Sequence, residues 1–147
     1  MKLSEQNARF SCTYKMYDEL YHNVAQKYGF SDTALWLLYL ICREEEPLTQ
    51  NQLAEELYVP KQTVNSAIAK LVKDGYVELI QKTGPRNNKA VCLTAYGKER
   101  CQECVLPLIE AENRALDRLS EEEQKIFLAL YEKRYQFFRE EVDYLLK

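Results

Sequence analysis

Glycine and proline are scarce, with four of each in 147 residues. Long irregular loops are therefore excluded, and the chain must be built from regular elements. Long apolar runs are missing too. The longest, "ALWLLYLIC" from Ala34 to Cys42, falls well short of the roughly 20 residues a bilayer-spanning helix needs. The amino-terminal stretch "MKLSEQNARFSCTYK" carries no apolar signal region, so the expectation is a cytoplasmic protein without a membrane partner. Five cysteines are present. An odd number without a regular framework argues against a secreted disulfide scaffold and for reduced thiols. There is one histidine. With it come no Ser-His-Asp set, no phosphate loop and no cluster of metal ligands. The reading is a protein that is not an enzyme and holds no metal and no cofactor.

Charge is unevenly distributed. The net charge is -3, yet Thr49 to Arg100 carries eight basic and five acidic residues. The segments on either side are acidic. A basic island binds polyanions whatever the total charge, although a solvated surface gives the same pattern.

Periodicity organises the chain as six helices and one hairpin. Phe10, Tyr14, Tyr17, Leu20, Tyr21 and Val24 recur at steps of three and four, predicting a first helix from about Ser4 to Tyr28 that ends at Gly29. Ser31 caps a second helix reaching about Glu46, before Pro47. "TQNQ" at Thr49 is a capping box that opens a short third helix. The fourth starts with Pro60 as its first residue and ends near Asp74. "YVELIQK" and "KAVCLT" then read as a two-stranded hairpin. A fifth helix is expected from Ala95 to Leu119, interrupted by Pro107, and a sixth from a Ser120–Glu123 capping box to Leu146. The fold class is mainly α with a small β-hairpin, in the order α-α-α-α-β-β-α-α. Two short helices followed by a hairpin make a winged helix-turn-helix.

On the fourth helix Val64, Ile68 and Leu71 share one face, which predicts burial against the third helix. Gln62, Ser66, Ala69 and Lys73 point away, bordered by Lys61, Thr63, Asn65 and Lys70. No acid occurs from Pro60 to Lys73. Short hydrogen-bonding side chains flanked by lysines suit a DNA groove. Gln reads adenine edges, Ser bonds to bases or phosphate, and Lys pairs with phosphates. A solvated helix face is the alternative, but such a face usually mixes Glu with Lys.

The stretch from Leu48 to Glu99 resembles the winged helix-turn-helix of the MarR family of bacterial transcription regulators. The resemblance rests on the Thr-opened third helix, "QTV…L…L…GYV", the "PRNNK" wing and the "LTAYG" junction, and the helical flanks extend it over nearly the whole chain. It implies one subunit over 1–147, with 1–30 and 101–147 as a helical dimerisation region and 31–100 as the DNA-binding lobe. It also implies a homodimer on a pseudo-palindromic double-stranded DNA operator. The last helix supports dimerisation independently, since Phe127, Leu130, Tyr131, Phe137, Phe138, Val142, Leu145 and Leu146 make it unusually apolar. DNA contacts are assigned to Lys61, Gln62, Thr63, Asn65, Ser66, Lys70 and Lys73 on the recognition helix. The wing adds Lys82, Arg86, Asn87, Asn88 and Lys89. Arg86 matches the family's minor-groove arginine, while Gly84 stands where the family places an aspartate that holds it.

The same resemblance implies a pocket for a small aromatic or phenolic ligand, with Tyr14, Tyr17, Tyr21, Trp36 and Tyr39 as its candidates; an ordinary aromatic core accounts for them equally. The function expected is a ligand- or stress-responsive repressor. The rival is a thiol-based redox protein using Cys101–Cys104 or Cys12, although Cys101 and Cys104 equally suit a packed helix face. A winged helix serving only as a protein-interaction module is a third reading, disfavoured by the acid-free fourth helix.

Overall fold

A computed structural model describes residues 2–82, 84 and 89–147. Helix α1 spans Glu5–Tyr28 and α2 spans Asp32–Arg43. Ser4 and Ser31 cap them, each hydroxyl accepting from the backbone N–H three residues on. Gly29, at φ 75, closes α1 in the left-handed conformation. The Phe30 and Gly29 N–H groups donate back to Ala25 and Gln26, a Schellman closure. Helix α2 ends at Arg43 rather than near Glu46. Continuing would have stacked Glu44, Glu45 and Glu46 on the negative end of the helix dipole, with Pro47 ahead.

Helix α3 (Gln50–Leu57) opens on the Thr49–Gln52 capping box, with both reciprocal bonds formed. Helix α4 (Lys61–Lys73) follows, with Pro60 as its cap rather than its first residue and no side-chain cap bond. Strands β1 (Val77–Gln81) and β2 (Lys89–Leu93) pair antiparallel, Val77 opposite Leu93 and Gln81 opposite Lys89. Thr49 adds an antiparallel bridge to Ala90, and the Val91 N–H donates to the Leu48 carbonyl at 2.8 Å. The segment before α3 is thus a third, minimal strand of the wing.

Helix α5 runs Ala95–Leu116 and α6 runs Glu121–Leu145. The second capping box, Ser120 with Glu123, forms as expected. Helix α5 stops three residues short of the expected Leu119. The Gln124 side-chain amide donates to the Leu116 and Leu119 carbonyls at 3.1 and 3.0 Å, satisfying backbone groups that another helical turn would have used.

The chain divides into two compact units, Met1–Leu108 and Ile109–Lys147, the division falling inside α5 just after Pro107. The buried aliphatic core lies in the first unit: Leu35, Leu37 and Leu38 of α2, Leu53 of α3, Val64, Ile68 and Leu71 of α4, Val77 and Val91 of the wing, and Val105 of α5. No polar or charged residue among those described is buried with them.

The wing is joined to α5 through Thr94. Its N–H donates to the Tyr76 carbonyl, its hydroxyl donates to the Gly75 carbonyl, and that same oxygen accepts from the Gly97 N–H. One residue therefore closes the hairpin and caps the helix. Gly97 lies so close to Tyr76 that a Cβ would meet the Tyr76 carbonyl oxygen at 1.9 Å. This oxygen is already bonded to Thr94, so it has little room to yield. Gly97→Ala is expected to destabilise the protein by about 1–3 kcal/mol, the usual range for forcing atoms into a packed site, read by urea denaturation. Unchanged stability would show that the junction is slack.

Candidate nucleic-acid interface

Helix α4 is held by one face. Val64, Ile68 and Leu71 are essentially inaccessible, each worth about 1.5–3 kcal/mol as a buried aliphatic side chain. They fix the roll of the helix, which turns the opposite face outward. Lys61, Gln62, Thr63, Asn65, Ser66, Ala69, Lys70 and Lys73 are all exposed. The structure brings together the whole recognition-helix set expected from the sequence.

These lysines differ in their engagement. The Lys70 ammonium pairs with the Asp74 carboxylate at 2.7 Å, one turn on, and this bond raises its pKa above the ordinary lysine value. Lys70 remains a cation but carries a local counter-ion. At the carboxyl end of α2, Arg43 reaches both Glu44 and Glu56, tying α2 to α3. Exposed pairs of this kind contribute little stability.

In the wing, Lys89 is exposed. Lys82 is half-buried, and its ammonium donates to the Pro47 carbonyl at 2.9 Å. It therefore anchors the base of the wing to the loop before α3, a tie that the expected phosphate contact did not include. Arg86, Asn87 and Asn88 lie outside the described residues. Gly84 is exposed with φ 138, a backbone conformation that L side chains rarely adopt. An aspartate there would be strained, which gives a local reason for glycine at this position.

Two features were missed in the sequence. The first is Tyr58, in the turn between α3 and α4. It has φ 53, making it the one described non-glycine residue with positive φ, and its side chain is 94% exposed. The chain must reverse between α3 and Pro60, and "LYVP" offers no Gly or Asn for the left-handed position that ends α3. That want of a suitable residue was the available signal. The second is Cys42, whose pKa is lowered by its neighbour Cys101, while Cys42 together with burial raises that of Cys101.

The aromatic candidates separate. Tyr21 and Trp36 stack with ring centroids 4.5 Å apart, and Tyr39 meets Trp36 at 5.3 Å. A cavity of about 150 Å³ is lined by Asp18, Tyr21, His22, Asp32, Leu35 and Trp36, with His22 Nδ1 bonded to Asp32 at 2.8 Å. That is small beside pockets of about 300–1,000 Å³ that take drug-sized ligands. Tyr14 and Tyr17 do not line it and are exposed. Cys12 is exposed, whereas Cys101 and Cys104 are buried. The Cys104 thiol donates to the Arg100 carbonyl at 2.9 Å, and burial raises its pKa.

Residues 28–84 match the family model described as "MarR family". A search of curated proteins finds no match. Among solved structures, a MarR family regulator from Neisseria meningitidis superposes with TM-score 0.78 at 16% identity, over 95% of this chain and 98% of the other. The S. aureus MepR–DNA complex gives 0.72 at 21%, over 92% and 99%. Staphylococcus aureus MarR in complex with salicylate and kanamycin gives 0.69 at 16%, over 93% and 92%.

Tyr58 has a stability consequence. Replacing it by glycine removes a left-handed cost of about 1–2 kcal/mol and sacrifices almost no buried surface. Part of that gain is returned through the greater freedom of glycine in the unfolded chain. Tyr58→Gly is expected to stabilise by about 1 kcal/mol in urea denaturation. A destabilised variant would mean that the tyrosine supports the turn.

Proposed function

We propose that the protein is a sequence-specific DNA-binding transcriptional regulator of the MarR family that works as a homodimer, a reading supported by the family-model match over residues 28–84 and by the fold shared with a MarR family regulator over 95% of the chain. The observation that carries this reading is the outer face of α4, exposed along its length and free of acids. In the proposed complex α4 enters the major groove. Gln62, Asn65 and Ser66 meet base edges, while Thr63 and the lysines meet phosphates. Arg86 reaches the adjacent minor groove, flanked by Asn87, Asn88 and Lys89. A relative of the same fold is held in complex with DNA, which supports the reading without supplying the contacts.

Dimerisation is proposed from exposed apolar surface. Helix α6 has no buried residue, although Phe127, Leu130, Tyr131, Phe137, Phe138 and Leu145 lie exposed on it, Leu146 is exposed at its cap, and Val142 is only half-buried. Phe10, Tyr14, Tyr17 and Leu20 are likewise exposed on α1. Surfaces of this size and character normally meet a partner. A second copy also explains how one short helix achieves specificity, since a two-fold axis doubles the contacts and imposes half-site spacing.

Repression relieved by a small aromatic ligand or by stress completes the proposal. A signal that alters the separation of two recognition helices weakens simultaneous groove insertion. The Tyr21–Trp36 cavity is where a planar ligand would start. The rival redox reading on Cys101–Cys104 is less favoured, because both thiols are buried, Cys104 donates to the Arg100 carbonyl of its own helix, and burial raises its pKa.

Binding to a mixed-sequence DNA duplex, titrated between about 50 and 200 mM salt, is expected to give a steep linear fall of log affinity with log salt. Lys61→Ala and Lys73→Ala should each reduce that slope by about one and weaken all sequences alike. Gln62→Ala should leave the slope unchanged and cost about 1–3 kcal/mol of discrimination on a selected site. A flat salt response would contradict the proposal. Phe138→Glu is expected to convert a dimer into a monomer at micromolar protein in sedimentation equilibrium. A wild-type monomer under those conditions would remove the dimer from the account.

A further inference from the structure

We propose that Tyr58 is a further DNA contact, its hydroxyl donating to a backbone phosphate at the edge of the groove that α4 enters, an assignment that rests on the DNA-binding reading of α4. Tyr58 directly follows α3 and stands three residues before Lys61, the first residue of α4. Its backbone closes α3. The N–H donates to the Ala54 and Glu55 carbonyls from a left-handed conformation at φ 53. Glycine or asparagine closes a helix in the same way with less strain. The fold therefore calls for the backbone of this residue and not for a tyrosine.

The side chain adds no contact to the fold. It is 94% exposed, more than any other large hydrophobic side chain described. It has no hydrogen bond, ion pair or ring contact with the described residues. Exposed aromatics elsewhere, such as Tyr14 and Phe138, lie on the apolar faces of α1 and α6, which a second copy covers in the proposed dimer. Tyr58 belongs to neither helix. A strained residue kept without a packing role is a pointer to function.

Its place and chemistry say which function. The N-terminal residues of a recognition helix contact base edges, and the helix before it crosses the DNA backbone. The turn from Tyr58 to Pro60 joins two such helices, where backbone gives way to groove. Three Cα–Cα steps hold Tyr58 within about 11 Å of Lys61, whose ammonium is assigned to a phosphate. Tyrosine is among the side chains that bond phosphate oxygens. Its O–H donates without carrying charge, so it strengthens the hold on the backbone and leaves counter-ion release unaltered.

The test titrates full-length wild type, Tyr58→Phe and Tyr58→Gly against one mixed-sequence DNA duplex at several salt concentrations. Losing a hydrogen bond to a charged oxygen, Tyr58→Phe should bind about ten-fold more weakly. Its slope of log affinity against log salt and its urea midpoint should match the wild type. Tyr58→Gly should bind at least as weakly as Tyr58→Phe while its urea midpoint rises, so that affinity and stability move in opposite directions. A merely structural tyrosine would move them together. Nitration by tetranitromethane, mapped by peptide, should modify Tyr58 in the free protein and spare it on the duplex. Equal affinity of wild type and Tyr58→Phe, or equal nitration of Tyr58 with and without DNA, would overturn the assignment and leave the DNA-binding reading standing. A wild type without salt-dependent binding would overturn both.

Discussion

Burial of Val64, Ile68 and Leu71 along one side of α4 is the interaction on which the rest depends. These three side chains set the roll of the helix about its axis. With the roll set, Gln62, Asn65, Ser66 and Lys73 have no route inward and form a single outward face. The capping box at Thr49 and the left-handed turn at Tyr58 place α3 for α4 to pack on. The wing is fixed from two sides, by the Leu48–Thr49 bridge to β2 and by the Thr94 junction to α5. Each feature spends its apolar or backbone bonding capacity on the fold and leaves the polar surface of α4 unspent.

The electrostatics follow from that division. The net charge of -3 is an average over parts with different tasks. Three glutamates occupy the first turn of α6, where the positive end of the helix dipole favours them. Along α4 there is no carboxylate, and the acid closest to it in sequence, Asp74, lies just beyond its end and engages Lys70. DNA binding through a basic face needs only local charge, since fields beyond about 8 Å are screened at physiological salt.

Much of this was legible in the sequence, and the rest was not for identifiable reasons. Both capping boxes, the Gly29 stop, the hairpin and the buried face of α4 are local patterns whose physics is complete within a few residues. The ends of α2 and α5 were placed too far along because each helix was carried to the next stop signal, Pro47 or the Ser120 capping box, past the acidic run at Glu44–Glu46 and the Gln124 amide. Lys82 looked like a free wing cation, since its partner is the carbonyl of Pro47, far back in the chain. Tyr14 and Tyr17 share the spacing of Tyr21 but do not line the Trp36 cavity and are exposed.

The central claim is that α4 reads base sequence in the context of a symmetric pair. Selection of bound duplexes from a random DNA pool, repeated at rising salt, tests it most directly. The account predicts an inverted repeat whose half-site centres lie about 10 base pairs apart, one helical turn, with enrichment that sharpens as salt removes non-specific binding. Recovery of unenriched sequence at every salt concentration would contradict it.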